Sequence, residues 1–494
     1  MSAVLSDATY SLPSGWYWST IGEVADVIGG GTPRTDDPAN FENGDIPWIT
    51  PADLSGYTEK YISQGARFIT IKGLESSSAK LLPAGTVLFT SRAPIGYVAI
   101  ARNPVATNQG FKSFILKPGL LSEYVFWWLK GSKQRAERLA SGTTFLELSG
   151  ANAKKIPIPI APLKQQTEIV AEIEKQFSRL DQAVASLQRV KAQLKRYKAS
   201  VLKAAVEGRL VETEAARARR EGRGFETGAE LAAQGSANAA GGRKPGAALR
   251  YETGEQLLKR ILETRRSQWK GKGKYKEPAA PETVGLPELP EGWVWASLDA
   301  LSWHSSYGTS AKCSYAKGGV PVLRIPNVQQ GALDLSDLKF APADHVLPED
   351  ETVSVGDMLI IRTNGSRSLI GRAAVVTSQS KRALSFASYL IRFRLIQVES
   401  LPAWISIIWQ EGRMRQWIES RAATSAGQHN ISQSVLALAT LPLPPLPEQL
   451  RIVAEVDRRL SIVREVEAEV DANLKRAQAL RQTVLARAFT SASS

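Results

Sequence analysis

Few side chains in this sequence are of a type and spacing that could do covalent chemistry. Its three histidines (His304, His345, His429) and one cysteine (Cys313) are scattered, so no cysteine–histidine zinc pattern can be drawn. A GxxxxGK[ST] loop is absent, which argues against an NTP-driven motor. No [DNS]PP[YFW] pattern occurs, and the only Pro-Pro pair is Pro444–Pro445. The nearest approach to a catalytic set is "LDLSDLKF", where Asp334, Asp337 and Lys339 are spaced like a nuclease's acidic pair with its lysine. Motifs this short arise often by chance. "DVIGGGTPR" (26–34) could be a glycine-rich phosphate cradle or a recognition loop. A chain this poor in catalytic sets points to binding rather than turnover.

The side chains that remain can read nucleic acid. An arginine can hold guanine O6 and N7, and an asparagine or glutamine can hold adenine N6 and N7, each pair being worth ~1–3 kcal/mol of discrimination. In the first half the candidates are Thr32, Arg34, Arg92, Asn108, Gln109 and Lys112; in the second they are Thr309, Lys312, Arg362, Asn364 and Arg367. Each could equally be a solvated or turn-capping loop residue. The net charge of +14 suits a polyanionic partner, but residues 1–160 carry 15 basic against 13 acidic side chains and 289–440 carry 14 against 12. A DNA site there must be a local arrangement. Arg189, Lys191, Lys195, Arg196, Lys198 and Lys203 form a run with no acid between 182 and 206. It could meet phosphates, an acidic partner or only water.

What must position these residues is a duplicated unit. "LPSGWYWSTI" (12–21) matches "LPEGWVWASL" (289–298), and "IGYVAIA" (95–101) matches "IGRAAVV" (370–376). "QQTEIVAEI" (165–173) matches "EQLRIVAEV" (448–456). A solenoid would repeat every 20–50 residues, so this is one duplication. The second copy keeps only Gly308 of the glycine cluster and the first lacks the Asp334–Asp337–Lys339 set. The cluster therefore reads as a recognition loop, and the acidic set as chance.

Each copy runs from short β-rich segments and turns through an amphipathic helix, whose tryptophans read as core, to a proline ladder and a long helix. The ladders "IPIPIAP" and "LPLPPLP" lack backbone donors, so the pattern predicts an edge or polyproline-like connector outside any sheet interior. Pro447 fits a first helical turn, and Glu448 suits the positive end of the helix dipole. Heptad-like seams follow. The first takes Ile173, Phe177, Leu180, Val184, Leu187, Leu194, Tyr197 and Val201; the second takes Val456, Leu460, Val463, Val466, Val470, Leu474, Ala477 and Leu480. Two such stripes predict an antiparallel coiled coil. The expected order is domain one (1–160), helix one (161–209), a linker with a short helix (210–286), domain two (287–440), then ladder and helix two (441–494). Within the linker, 215–250 is rich in Ala, Gly and Arg and reads as a flexible insertion.

At 43% hydrophobic and 22% charged, the sequence can build mixed α/β cores. No apolar run reaches 18 residues, so no membrane span is expected. A single cysteine and the absence of a secretory pattern fit a reducing cytoplasm.

Two loop-bearing domains, each followed by a "PLxEQxxIV"-like ladder and a long helix, resemble the specificity subunit of type I restriction–modification enzymes. "LPxGWxWxxL" at each start, "GTVLFTSRAPIGYVAIA" with "ATNQGF", and "PLPPLPEQLRIVAEVD" carry the resemblance. It implies two target recognition domains that each read half of an interrupted double-stranded DNA sequence, separated by helices that act as a spacer. It implies a non-catalytic chain docking two modification (methyltransferase) subunits, with two restriction (translocase) subunits in the complete enzyme. S-adenosylmethionine, ATP and magnesium would then reside on those partners, and this chain would bind no cofactor. Gln165, Ile169, Ile173, Gln449, Ile452 and Val456, in the matched helix starts, are the expected docking residues. The alternatives are a structural adaptor bridging proteins and a DNA-modifying enzyme with an unrecognised site.

Overall fold

In the computed structural model, each proline ladder closes a domain by pairing with its first strand. Tyr17–Thr20 runs antiparallel to Pro157–Ile160, with Ser19 opposite Ile158 and Trp18 opposite Pro159. Val294–Ser297 pairs likewise with Thr440–Leu443. The ladders are thus strands of two-stranded sheets, not polyproline connectors. Proline at alternate positions explains this: in an antiparallel pair only every second residue exchanges hydrogen bonds with its partner. The ladder's missing donors fall on the residues that need none, while Ile158, Ile160, Leu441 and Leu443 are buried.

The structure describes residues 12–92, 94–142, 146–222, 251–269, 273–329, 331–377, 383–396, 400–425 and 427–490. They form two units, one of residues 1–190 with 469–494 and one of 191–468. The five sequence segments regroup accordingly, because each long helix contributes one part to each unit.

In the first unit, a five-stranded sheet places Ala25–Gly29, Lys112–Leu116, Val87–Phe89, Val98–Ala101 and Tyr61–Ile62 side by side. A three-stranded sheet joins Arg67–Ile69, Ile46–Ile49 and Ala106–Thr107, the last pair parallel. The second unit repeats the order with Ser302–Tyr307, Leu390–Leu395, Asp357–Ile361 and Ala373–Val375. Its three-stranded partner joins Lys339–Phe340, Pro321–Leu323 and Ser385–Phe386, again with one parallel pair. The duplication read from sequence is a duplication of topology.

Helices Ser122–Gly131 and Leu401–Gln410 lie under the ladders. Trp128 Nε1 donates to the Pro157 carbonyl at 2.8 Å and Tyr124 Oη to that of Pro159 at 2.9 Å. In the second unit Trp404 Nε1 donates to Pro442 O at 2.9 Å. These tryptophans are core residues, as their spacing predicted.

The long helices span Leu163–Val206 (44 residues) and Leu446–Ala488 (43 residues). In the first unit the start of one packs with the end of the other: Ile169 and Ile173 share a core with Leu485 and Phe489, and Asp181 pairs with Arg481. In the second, Val201, Leu202 and Ala205 share a core with Ile452, Val456 and Leu460. Within each unit the pair is therefore antiparallel. The seam is narrower than predicted. Val463, Val470 and Ala477 are buried one heptad apart, but Val466, Leu480 and Tyr197 are 38%, 50% and 43% exposed. At Val466 and Leu480 a step of three followed by another of three carries the stripe off a 3.6-residue helix face.

One further expectation changes, and Glu448, which does stand in the first turn of its helix, has a second role. The stretch from 215 begins as a helix, Glu214–Arg220, whose Ala215 and Ala218 pack against Tyr251; residues 223–250 lie outside the described residues. Glu448, assigned above to the helix dipole, is buried. Its Oε1 accepts from Trp293 Nε1 at 3.0 Å and its Oε2 from the Glu214 N–H at 2.8 Å. Burial pushes its carboxyl up to about 7, against those two hydrogen bonds and nearby Arg451. No described helix is long and apolar enough to cross a membrane.

Candidate nucleic-acid interface

The strand register brings the first domain's candidate loops to one end of its main sheet. Gly29 lies opposite Lys112, and Thr90 bridges Phe111, so loops 30–34, 90–96 and 108–112 converge. The Ser91 N–H donates to Gly110 O at 2.7 Å and ties two of them together. The glycine cluster makes that approach possible: a Cβ on Gly30 would stand 2.0 Å from the Asn108 carbonyl oxygen, which no side chain tolerates. Gly30 and Gly31 are thus packing requirements, whereas a Cβ on Gly29 would meet nothing within 4 Å.

Thr32 donates its hydroxyl to Gln109 Oε1. The Asn108 Oδ1 accepts the Gly110 N–H at 2.9 Å, a turn cap. Arg34, well exposed, pairs with Asp36 at 2.9 Å, and Arg92 lies 3.5 Å from Glu147. Lys112 is half-buried; burial holds its ammonium below the usual range, Glu147 opposing and Arg92 reinforcing the shift. All six predicted residues therefore belong to one loop cluster. Two of its cations are matched to carboxylates that phosphate could displace.

The second domain builds the same sheet end from different side chains. Tyr307 lies opposite Ile391 and Ile361 opposite Leu390. A Cβ on Gly308 would again meet a carbonyl, Phe386 O at 2.0 Å. This is why one glycine of the cluster survives in the second copy. Thr309 is buried, its N–H donating to Phe386 O at 2.8 Å, so it is an anchor and not a base-reading residue. Lys312 is exposed. The Arg362 guanidinium lies over the Tyr307 ring at 4.8 Å. Asn364 Oδ1 accepts the Ser366 N–H at 2.8 Å, and Arg367 donates to the Glu419 carbonyl at 2.9 Å. Sequence reasoning missed Tyr307 and Tyr389, which are 42% and 55% exposed beside these loops. The available signal was tyrosine at a strand end next to a loop arginine, a pairing suited to stacking on a base or holding a guanidinium flat.

The nuclease-like set comes apart. Asp337 pairs with Arg324 at 3.0 Å, Asp334 Oδ1 caps the Ser336 N–H at 2.9 Å, and Lys339 lies 5.1 Å over the Tyr315 ring. His304 accepts from buried Arg392 at 2.9 Å, and burial followed by Arg392 lowers its pKa. It is a structural histidine.

The six expected docking residues serve their own domains. Gln165 Oε1 accepts from Trp16 Nε1 at 2.5 Å. Ile169 and Ile173 lie in the first core, and Ile452 and Val456 in the second. Gln449 is buried and donates to Pro444 O at 2.9 Å. The apolar side chains the helices do present include Leu163, Tyr197, Leu450, Ile462, Val466 and Leu480.

Residues 13–196 match the family model of the type I restriction modification DNA specificity domain. A 161-residue stretch, 32% of this chain, is 45% identical to the MjaIX specificity subunit of Methanocaldococcus jannaschii and spans 37% of that protein. Over 97% of this chain, and 89% of the relative, identity to the EcoKI specificity subunit of Escherichia coli K12 is 24%. A solved chain from a study of type I restriction–modification assembly shares the fold, with TM-score 0.62 at 18% identity, covering 98% of this chain and all of that one. Residues 13–196 thus carry the type I restriction modification DNA specificity domain, and with its doubled sheets, ladders and helices the chain is similar over nearly its whole length to a type I restriction enzyme specificity subunit.

Proposed function

We propose that each domain reads one half of an interrupted DNA sequence through the loop cluster at its sheet end, and that the long helices set the gap. The observation that carries this is that one scaffold, built twice with the same close glycine approach, presents two different sets of side chains. Half-sites read from one face of B-DNA fall about one turn, ~34 Å, apart, a span for which stiff helices suit better than loops. Arg362 and Arg34 are suited to guanine, and Gln109 to adenine.

On this reading the chain is not an enzyme. Methyl transfer from S-adenosylmethionine belongs to two modification subunits, and ATP- and magnesium-dependent translocation to restriction subunits in the cytoplasm. Their helix-docking contact would fall on exposed apolar residues such as Ile462 and Val466, one turn apart, rather than on the buried isoleucines. The adaptor reading leaves two differently sequenced loop clusters without a use.

Selection from a random DNA library, using this chain co-purified with its modification subunit, tests the reading. Two short unlike motifs at one fixed spacing are expected. One continuous motif, or none from a verified complex, would overturn it.

A further inference from the structure

Each unit carries a groove at the same place, between its ladder, the helix pair beneath it and the long helices. In the second unit the groove is lined by Trp295, Met414, Trp417, Arg421 and Pro442, and the chain's own segment borders one side with Glu282, Val284 and Leu286. That strap is fixed: Ser297 Oγ donates to Ala279 O at 2.7 Å, and Arg421 pairs with Glu282 at 3.3 Å. A cavity of about 300 Å³ remains.

In the first unit the groove is about 680 Å³ and no strap lines it among the described residues. Its floor is Trp18, Trp128, Leu485 and Phe489; its rim is Lys130, Lys133, Arg135 and Arg138, with no carboxylate among the lining residues. Lys130 lies 5.3 Å from the Phe126 ring centroid, Arg135 lies over Trp128 at 4.8 Å, and Lys133 pairs with Glu137 at 3.7 Å. Burial lowers the pKa of Lys130, so a carboxylate beside it would restore what burial takes away.

We propose that the first unit's groove receives an extended acidic segment of a partner protein. An apolar side chain seats against Trp18, Trp128 and Phe489, and carboxylates meet Lys130, Lys133 and Arg135. The second unit supplies a precedent for the charged part of this mode, since Glu282 of its strap pairs with Arg421 on the equivalent wall while Val284 and Leu286 stay exposed. The chemistry favours a peptide over DNA, because a phosphate backbone has no use for an apolar floor. It favours an outside segment over the chain's own start: residues 2–11 offer one acid, Asp7, where the corresponding stretch of the strap, 279–288, offers two, Glu282 and Glu288.

The probe is a fluorescent peptide of residues 277–289, "EPAAPETVGLPEL", titrated into the full chain by polarisation. Saturable binding is expected, weakened at least tenfold by Lys133→Glu, by Lys130→Gln, or by glutamine at the peptide's three glutamates, with the melting temperature of each protein variant unchanged. Absence of saturable binding, or binding indifferent to both substitutions, overturns the proposal. So does a tenfold gain on deleting residues 2–11, which would make the chain's own start the occupant.

Discussion

Replacing Glu448 with glutamine should change how the second unit's stability depends on pH. The carboxyl is buried, and its folded pKa of about 7 stands above the ordinary 4.5. A group raised in this way contributes stability that is fully present below pH 4.5 and lost as pH rises through 7. The gap between the two values corresponds to about 3 kcal/mol. Glu448→Gln removes that dependence but puts an amide N–H where Oε2 now accepts the Glu214 N–H, a donor facing a donor, at a cost of about 1–3 kcal/mol. The first unit shows that an amide can hold the tryptophan, since Gln165 accepts from Trp16 as Glu448 does from Trp293. The variant should therefore be less stable than the parent at pH 5 and equal or more stable at pH 8.5. Urea unfolding followed by tryptophan fluorescence at several pH values measures the difference. If the offset between parent and variant stays constant within ~0.5 kcal/mol from pH 5 to 8.5, the carboxyl is not protonated in the folded state and the reasoning fails.

Gly308→Ala should disrupt the second sheet end, because its Cβ would lie 2.0 Å from Phe386 O; a loss of about 2 kcal/mol or more is expected, read by thermal unfolding, and a stable variant would show that the loops can part. Removing one heptad from each long helix shortens the spacer by ~10 Å at 1.5 Å per residue. DNA selection should then return both half-sites unchanged with a gap about 3 base pairs shorter, whereas altered half-sites at an unaltered gap would refute the spacer role.

What could be read from sequence was whatever a repeat or a period encodes. The duplication, the two long helices, the core tryptophans and the short helix Gly254–Ser267 follow from patterns repeated over many residues. The losses share one cause: a residue type says which bonds it can make, not which neighbour supplies them. Proline excluded a sheet interior correctly, yet the register that lets Pro157 and Pro159 sit in an edge strand depends on Tyr17–Thr20, some 140 residues away. Ile169 and Ile452 looked like a stripe awaiting a partner because the domain that covers them is remote in sequence. Thr309 looked like a loop hydroxyl until its N–H was seen paired with Phe386 O. All six loop candidates of the first domain nevertheless converge, because loops at strand ends are placed by the strand order, and that order is duplicated.

Comparing the copies separates what the scaffold requires from what is left free to vary. An indole N–H bonded to the first turn of a long helix recurs as Trp16 with Gln165 and Trp293 with Glu448, although the acceptor changes from amide to carboxyl. An aromatic donor to the ladder proline that lies opposite the strand tryptophan, Pro159 or Pro442, recurs as Tyr124 and Trp404, although the ring changes. The close glycine recurs because its neighbour in both copies is a backbone carbonyl. At the loop tips nothing of the kind persists. Thr32 with Gln109 has no counterpart bond among the described residues of the second domain, and Arg362 stacked on Tyr307 has none in the first. A binding surface serving one shared ligand would hold its contacts and let the core drift. Here the framework bonds are held and the tips differ, as expected of two readers that share a mount and not a sequence.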